Sequence, residues 1–145
     1  IIAMAIQQNG TVFDLEEAEL CYAPQYGSAK DPVNMAGMIA SNLLRGYSSV
    51  AHWEDLAESN AYILDVREPY EFKRGHVKNA VNIYLGGLRD RMSELPRDRE
   101  IWAYCYEGKR SYIAARILVQ NGFKVKNISG GYLTYMAVKQ FKDLP

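Results

Sequence analysis

Cys105 offers the most chemistry in this 145-residue chain. It follows the apolar run Ile101-Trp102-Ala103-Tyr104 and opens the stretch Tyr106-Glu107-Gly108-Lys109-Arg110-Ser111, after which apolar residues recur at helical spacing. A six-residue loop, Cys105 to Arg110, between a strand and a helix must curve tightly, and that curvature turns its backbone N–H groups inward. Gly108 removes a side chain where the bend needs unusual dihedrals. The unpaired N–H groups at the start of the helix strengthen the same positive field. A thiolate at the centre is stabilised, so its pKa is expected below the reference of roughly 8.5. The outer sulfur of a persulfide, or the oxyanion of an incoming donor, suits such a nest equally well because both are anionic. Lys109 and Arg110 put positive charge at the rim, and the flat fork of Arg110 is the better match for a sulfonate. Ser111 either donates to the sulfur or caps the helix. Tyr106 is large enough to wall the organic part of a donor, and Glu107 opposes both thiol ionisation and a doubly charged donor. The competing reading makes Cys105 a small core hydrophobe.

Other residues invite weaker readings. Asp65 ends a second apolar run and Arg67 follows two positions later, so the two either shape the pocket behind the cysteine loop or form a structural ion pair. Glu71 lies one helical turn beyond Arg67 and is expected to pair with it. Gly75-His76 suggests acid–base chemistry, but sulfur transfer from a stabilised anion needs no imidazole, which favours a structural histidine. His52 reads as surface or cap, and Trp53 and Trp102 as packing.

The elements that must position these groups follow from pattern. Strands are expected near 61–65, 80–84, 101–105 and 124–128, with an edge strand around 47–50, and helices at 52–58, 69–74, 86–94, 111–121 and after Gly131. Ile113, Ala114, Ile117 and Leu118 give the helix at 111–121 an apolar side, and Gly122 ends it. Alternating strands and helices imply an α/β fold with a mainly parallel sheet covered on both faces, whose functional groups gather beyond the carboxyl ends of the strands.

Residues 1–50 differ in texture and in charge, with a net of −3 against +3 for the remainder. A capping-box spacing links Asp14 to Glu17, and Asp31-Pro32 heads a helix containing Met35, Met38, Ile39 and Leu43 that Gly46 would stop. A segment of this kind buries too little to stand alone and should pack on a partner subunit, on the following domain or on a larger domain outside the chain. The division is therefore 1–46 and 47–145. A chain starting in mid-pattern without an initiator Met reads as an excised piece. The overall charge of zero argues against a nucleic-acid or anionic-membrane surface. Two cysteines 84 positions apart, Cys21 and Cys105, and two histidines fit no metal spacing and suit a reduced, cytoplasmic protein.

Residues 50–138 resemble a single rhodanese domain. The likeness rests on Tyr62-Ile63-Leu64-Asp65-Val66-Arg67-Glu68-Pro69-Tyr70-Glu71-Phe72, on Gly75-His76-Val77-Lys78-Asn79-Ala80-Val81-Asn82-Ile83, on Cys105 to Ser111, and on Ile128-Ser129-Gly130-Gly131-Tyr132. It implies a parallel five-stranded sheet flanked by helices. It also implies transfer of sulfane sulfur from thiosulfate or a thiol persulfide to a thiol acceptor through a persulfide on Cys105. In that family the loop amides cradle the persulfide and the arginine matching Arg110 lies at the pocket. Asn79 stands where the family usually has glycine, and Asn tolerates left-handed geometry. Related phosphatases and arsenate reductases place one more residue between cysteine and arginine than the four found here. A sulfur carrier that docks a partner without turnover is a further alternative.

The first segment is similar to the end of the dimerisation domain of flavin-dependent pyridine-nucleotide–disulfide oxidoreductases, nearest to coenzyme A-disulfide reductases. The quoted residues are Thr11 to Pro24 and Tyr26 to Gly37. Some of those reductases continue directly into a rhodanese domain. The resemblance implies FAD, NAD(P)H and coenzyme A for a full-length fusion and none of them for this piece, self-association through the tail, and a role for Tyr22 or Tyr26 at a neighbouring subunit's site.

Overall fold

The computed structural model describes residues 1–21, 23, 25–27 and 30–139. The chain divides into two compact units, Ile1–Tyr47 and Ser48–Pro145.

The first unit holds α1 (Ile2–Gln7), α2 (Val12–Glu17) and α3 (Pro32–Leu44). The capping box lies three residues earlier than the Asp14–Glu17 spacing suggested. Thr11 is the cap, its hydroxyl accepting from the Asp14 N–H, while the Asp14 carboxylate accepts from the amide and the hydroxyl of Thr11 at 2.6 and 2.7 Å. Asp31 sits at the cap of α3 but makes no side-chain bond there; Pro32 at the first position has no N–H to offer. Buried Asn34 ties α3 to α2 by donating to the carbonyls of Leu15 and Ala18 at 3.1 and 2.9 Å, two acceptors at the end of α2 that the helix itself leaves open. Gly37 lets the helices touch, since a Cβ there would collide with the Glu16 backbone. Gly46, in the left-handed region at φ +70°, follows the end of α3.

The second unit is a five-stranded sheet: β1 (Val50–Ala51), β2 (Tyr62–Asp65), β3 (Val81–Asn82), β4 (Ile101–Tyr104) and β5 (Val125–Ile128), in the order β1-β5-β4-β2-β3. Every pairing is parallel. Around it lie α4 (Pro69–Arg74), α5 (Lys109–Gln120) and α6 (Gly131–Lys139). The period of two along the strands feeds two cores: Leu64, Ile101, Ala103 and Cys105 join Ala114 and Leu118 on one face, while Ile63, Trp102 and Tyr104 join Trp53 and Tyr135 on the other. Asp65 pairs with Tyr104 in the ladder, so β2 and β4 end level and release Arg67 and Cys105 at the same edge.

Several expected elements are shorter or shifted. The helix expected at 52–58 is a 3-10 turn, Trp53–Leu56, and that expected at 86–94 is two such turns, Leu85–Gly87 and Met92–Glu94. Gly86 and Gly87 disfavour helix, and the Tyr84 ring packs where their Cβ atoms would stand. The helix at 111–121 begins two residues early, at Lys109, and buries Ser111, Ala114, Ala115, Ile117 and Leu118 while Ile113 faces outward. Asn79 adopts φ +64°, as its side chain allows.

Candidate functional site

The cysteine loop is shaped from behind. Tyr132 N–H donates to the Cys105 carbonyl at 2.8 Å and Leu133 N–H to the Tyr106 carbonyl at 3.0 Å, so the first turn of α6 fixes both oxygens on its side. In a trans peptide the N–H points opposite to the C=O it shares a plane with. The amides of Tyr106 and Glu107 are therefore turned away from α6, toward the inside of the loop. Gly131 makes this docking possible. At φ +56° it tolerates a left-handed turn, and a Cβ there would lie 2.6–2.8 Å from the carbonyl atoms of Cys105 and Tyr106. Trp53 holds Gly131 in turn, its indole N–H donating to the Gly131 carbonyl at 3.0 Å.

The sulfur sits at the focus of this turn. Cys105 is 2% exposed, with Gly108 N–H donating to Sγ at 3.1 Å and the Ser111 hydroxyl at 3.5 Å. Burial pushes the thiol up, yet the Ser111 hydroxyl and the amides of Ser111, Gly108 and Glu107 together outweigh it and hold the thiol below its ordinary value. Gly108 reaches φ +129°, a conformation for which glycine is the natural residue. Because α5 starts at Lys109 with Gly108 as its cap, Ser111 is not the cap. It lies buried in the first turn, bonded to the Gly108 carbonyl at 3.0 Å and turned to the sulfur. Tyr106, Glu107 and Lys109 have exposed side chains.

Arg67 forms the ion pair with Asp65, one of the two readings open to it, and Arg110 takes the carboxylate expected to pair with Arg67. Arg67 pairs with Asp65, Nε reaching Oδ1 at 3.0 Å and Nη2 reaching Oδ2 at 2.7 Å, and the pair is buried, the side chains 3% and 0% exposed. Arg67 Nη2 also donates to the Gly75 carbonyl at 2.8 Å, and its guanidinium lies 4.1 Å from the Tyr132 ring centroid. Glu71 does not meet Arg67. It receives both terminal nitrogens of Arg110, at 2.6 and 2.8 Å. The reason is that Asp65 already fills the Arg67 fork, whereas Glu71, held by the Glu68 N–H at 3.0 Å in a capping box at the start of α4, faces α5. The Arg110 fork, expected to be open for a sulfonate, is thus occupied. Glu71 is held below the usual carboxylate range, first by Arg110, and Arg110 is raised, first by Glu71 and also by the Cys105 sulfur it faces.

Beside the loop runs a cleft of about 390 Å³ whose walls include Arg67, Tyr70, Glu71, Arg74, Tyr106 and Met136. Tyr70, Tyr106 and Met136 present exposed apolar surface to it. His76 stacks on Phe72 with centroids 3.8 Å apart and bonds the Phe72 carbonyl through Nδ1 at 3.0 Å, a structural arrangement. Cys21 is exposed; Tyr26 is exposed at a turn, and Tyr22 lies outside the described residues.

Sequence reasoning missed Gly131 and Trp53, which mould the loop from the far side of α6, and it missed Glu71 as the partner of Arg110. The paired glycines at 130–131 were the available signal: two left-handed positions, φ +72° and +56°, directly before a helix.

Residues 49–137 match the rhodanese-like domain. The chain belongs to the rhodanese-like domain family. Among solved structures it is similar to reduced CoADR-RHD of Bacillus anthracis, 49% identical over 90% of this chain and 24% of that one, with a TM-score of 0.85. It is also similar to the NAD-dependent persulfide reductase from A. fulgidus, 38% identical with the same two coverages and a TM-score of 0.79. The thiosulfate sulfurtransferase GlpE of Coxiella burnetii is 30% identical over 95 residues, 63% of this chain and 89% of that protein. The chain thus spans about a quarter of the length of the two solved structures, and 58% of the first curated relative it matches.

Proposed function

We propose that this rhodanese domain moves sulfane sulfur through a persulfide on Cys105. The Cys105 thiolate attacks the sulfane sulfur of a donor, and the bond between that sulfur and the rest of the donor breaks. Its electron pair leaves with sulfite if the donor is thiosulfate, or with a thiolate if the donor is a thiol persulfide. An acceptor thiolate then attacks the outer sulfur and restores the Cys105 thiolate. The observation that carries this reading is the ring of donors around a buried Sγ: Gly108 N–H at 3.1 Å, the Ser111 hydroxyl and the Glu107 amide. They lie where negative charge accumulates in each attack.

Incubation with thiosulfate or an alkyl persulfide is expected to add the mass of one sulfur atom to the chain, on Cys105, and a thiol acceptor to remove it over repeated cycles. Cys105→Ser should lower turnover roughly a thousandfold. Full activity in that variant would refute the reading, and a single loading with negligible release would point instead to a sulfur carrier that docks a partner. The roles of Tyr106, Glu107, Gly108, Lys109, Arg110 and Ser111 in holding donor or persulfide, and of Asp65 and Arg67 in supporting them, belong to the same proposal.

We further infer that residues 1–46 are the end of a reductase dimerisation domain and that the domain works within a longer flavoprotein using FAD, NAD(P)H and coenzyme A. The likeness to the two solved structures supports this over 90% of the chain. The exposed apolar side chains of Met35, Ile39, Leu43 and Leu44 support self-association through the tail. Two free cysteines suit a reducing, cytoplasmic setting. Among the described residues no helix is long and apolar enough to cross a membrane.

A further inference from the structure

Four cations flank the loop or its cleft, Arg67, Arg74, Lys109 and Arg110, and Arg74 lies over the Tyr70 ring. Arg67 is committed to Asp65 inside the protein. Lys109 shares the exposed rim with Glu107. Arg110 lies in the first turn of α5 beside Ser111, and both of its terminal nitrogens are held by Glu71. Glu71 is itself anchored, because Oε2 also accepts the Glu68 N–H at 3.0 Å, so it cannot swing aside without abandoning the capping box of α4. The field that a donor meets from Arg110 is therefore that of an ion pair, which fades faster with distance than the field of a single charge. The edge of the Arg110 guanidinium formed by its two terminal nitrogens is filled by Glu71 and is not open to a sulfonate.

Resting on the reading of Cys105 as the sulfur carrier, we propose that Glu71 sets donor selectivity by occupying the terminal nitrogens of Arg110, so that the site discriminates against donors with an anionic group next to the sulfane sulfur and favours persulfides that are uncharged there. The cleft supplies the complementary surface. Tyr70, Tyr106 and Met136 offer apolar contact beside the loop, and Glu71 lines the same cleft. Thiosulfate presents a sulfonate beyond the sulfane sulfur, and that group needs the fork. An alkyl persulfide presents carbon there and needs only the wall.

The test compares single-turnover loading of Cys105 by thiosulfate and by 2-hydroxyethyl persulfide in the 145-residue chain. Glu71→Gln, which keeps the shape and removes the charge, should raise the thiosulfate-to-persulfide rate ratio roughly tenfold, chiefly through a lower apparent KM for thiosulfate. Glu71→Gln combined with Arg110→Gln should abolish that gain. Arg110→Gln alone, which leaves Glu71 in the cleft as a carboxylate without its counter-ion, should slow thiosulfate more than the persulfide. The proposal is overturned if Glu71→Gln leaves the ratio unchanged, if its gain survives in the double variant, or if Arg110→Gln slows both donors by the same factor. The last comparison stands even where Glu71→Gln folds poorly. Failure of both donors to place sulfur on Cys105 of the unaltered chain would instead refute the carrier reading.

Discussion

Two arginine–carboxylate pairs flank the cysteine loop, and they are built differently. Arg67–Asp65 is closed off from solvent, bidentate, and backed by the Gly75 carbonyl and the Tyr132 ring. Arg110–Glu71 is also bidentate, through the two terminal nitrogens rather than Nε and one of them, but its side chains are 32% and 17% exposed and Glu71 lines the cleft. The first pair joins the end of β2 to the turn after α4 and braces the sheet edge from which the loop springs. The second joins α4 to α5 across the site and sets the charge a donor meets. A pair's burial, more than its geometry, decides which of these tasks it can perform, since screening weakens the exposed pair and desolvation makes the buried one costly to break.

The sharpest way to break this comparison is to remove one carboxylate charge at a time. Asp65→Asn leaves Arg67 charged and buried without its counter-ion and is expected to cost about 3–5 kcal/mol in denaturant unfolding. Glu71→Gln should cost under about 1 kcal/mol in the same measurement, since its partner keeps access to water. Equal losses would mean that the two pairs do one job. Gly131→Ala tests the loop without touching either pair: a methyl group driven against the Cys105 and Tyr106 carbonyls should cost about 2 kcal/mol and misalign the amides. Sulfur loading should then fall well beyond what the remaining folded fraction explains. Loading in proportion to folded protein would show that the docking of α6 does not shape the nest.

Parts of this arrangement were open to sequence reading because local pattern specifies them. The strands ending at Asp65 and Tyr104 follow from apolar runs, the parallel sheet from alternation with helices, and the position of Cys105 from strand, glycine and helix in succession. What sequence alone could not supply was set by contacts between elements distant in the chain. Glu71 and Arg110 are 39 positions apart, and only the packing of α4 beside α5 joins them; helical spacing pointed Glu71 to Arg67 instead. Gly131 reaches Cys105 and Tyr106 across a chain reversal, and Trp53 reaches Gly131 over 78 positions. The start of α5 was misplaced for a different reason. Gly108 serves as a cap through its backbone alone, and a cap without a side chain leaves no polar signature.

The smallest expected effect separates the thiol's own electrostatics from those of the nearby ion pair. Ser111 donates to Cys105 Sγ at 3.5 Å and is the largest of the contributions that lower the thiol. Ser111→Ala removes one donor and leaves the amides in place, so the thiol should rise toward its ordinary value. The sign follows from linkage. A depressed thiol adds stability that is fully present above the ordinary thiol pKa and is lost as pH falls through the folded value, so the variant should lose stability only on the alkaline side. Alkylation by iodoacetamide tracks the thiolate, and its rate should rise with pH through an inflection that lies higher in Ser111→Ala. Cys21 is an exposed free thiol, so the measurement belongs in a Cys21→Ser background. An unmoved inflection would mean that the amides alone hold the sulfur, which would make the loop's backbone, shaped by α6, the whole source of the thiol's reactivity.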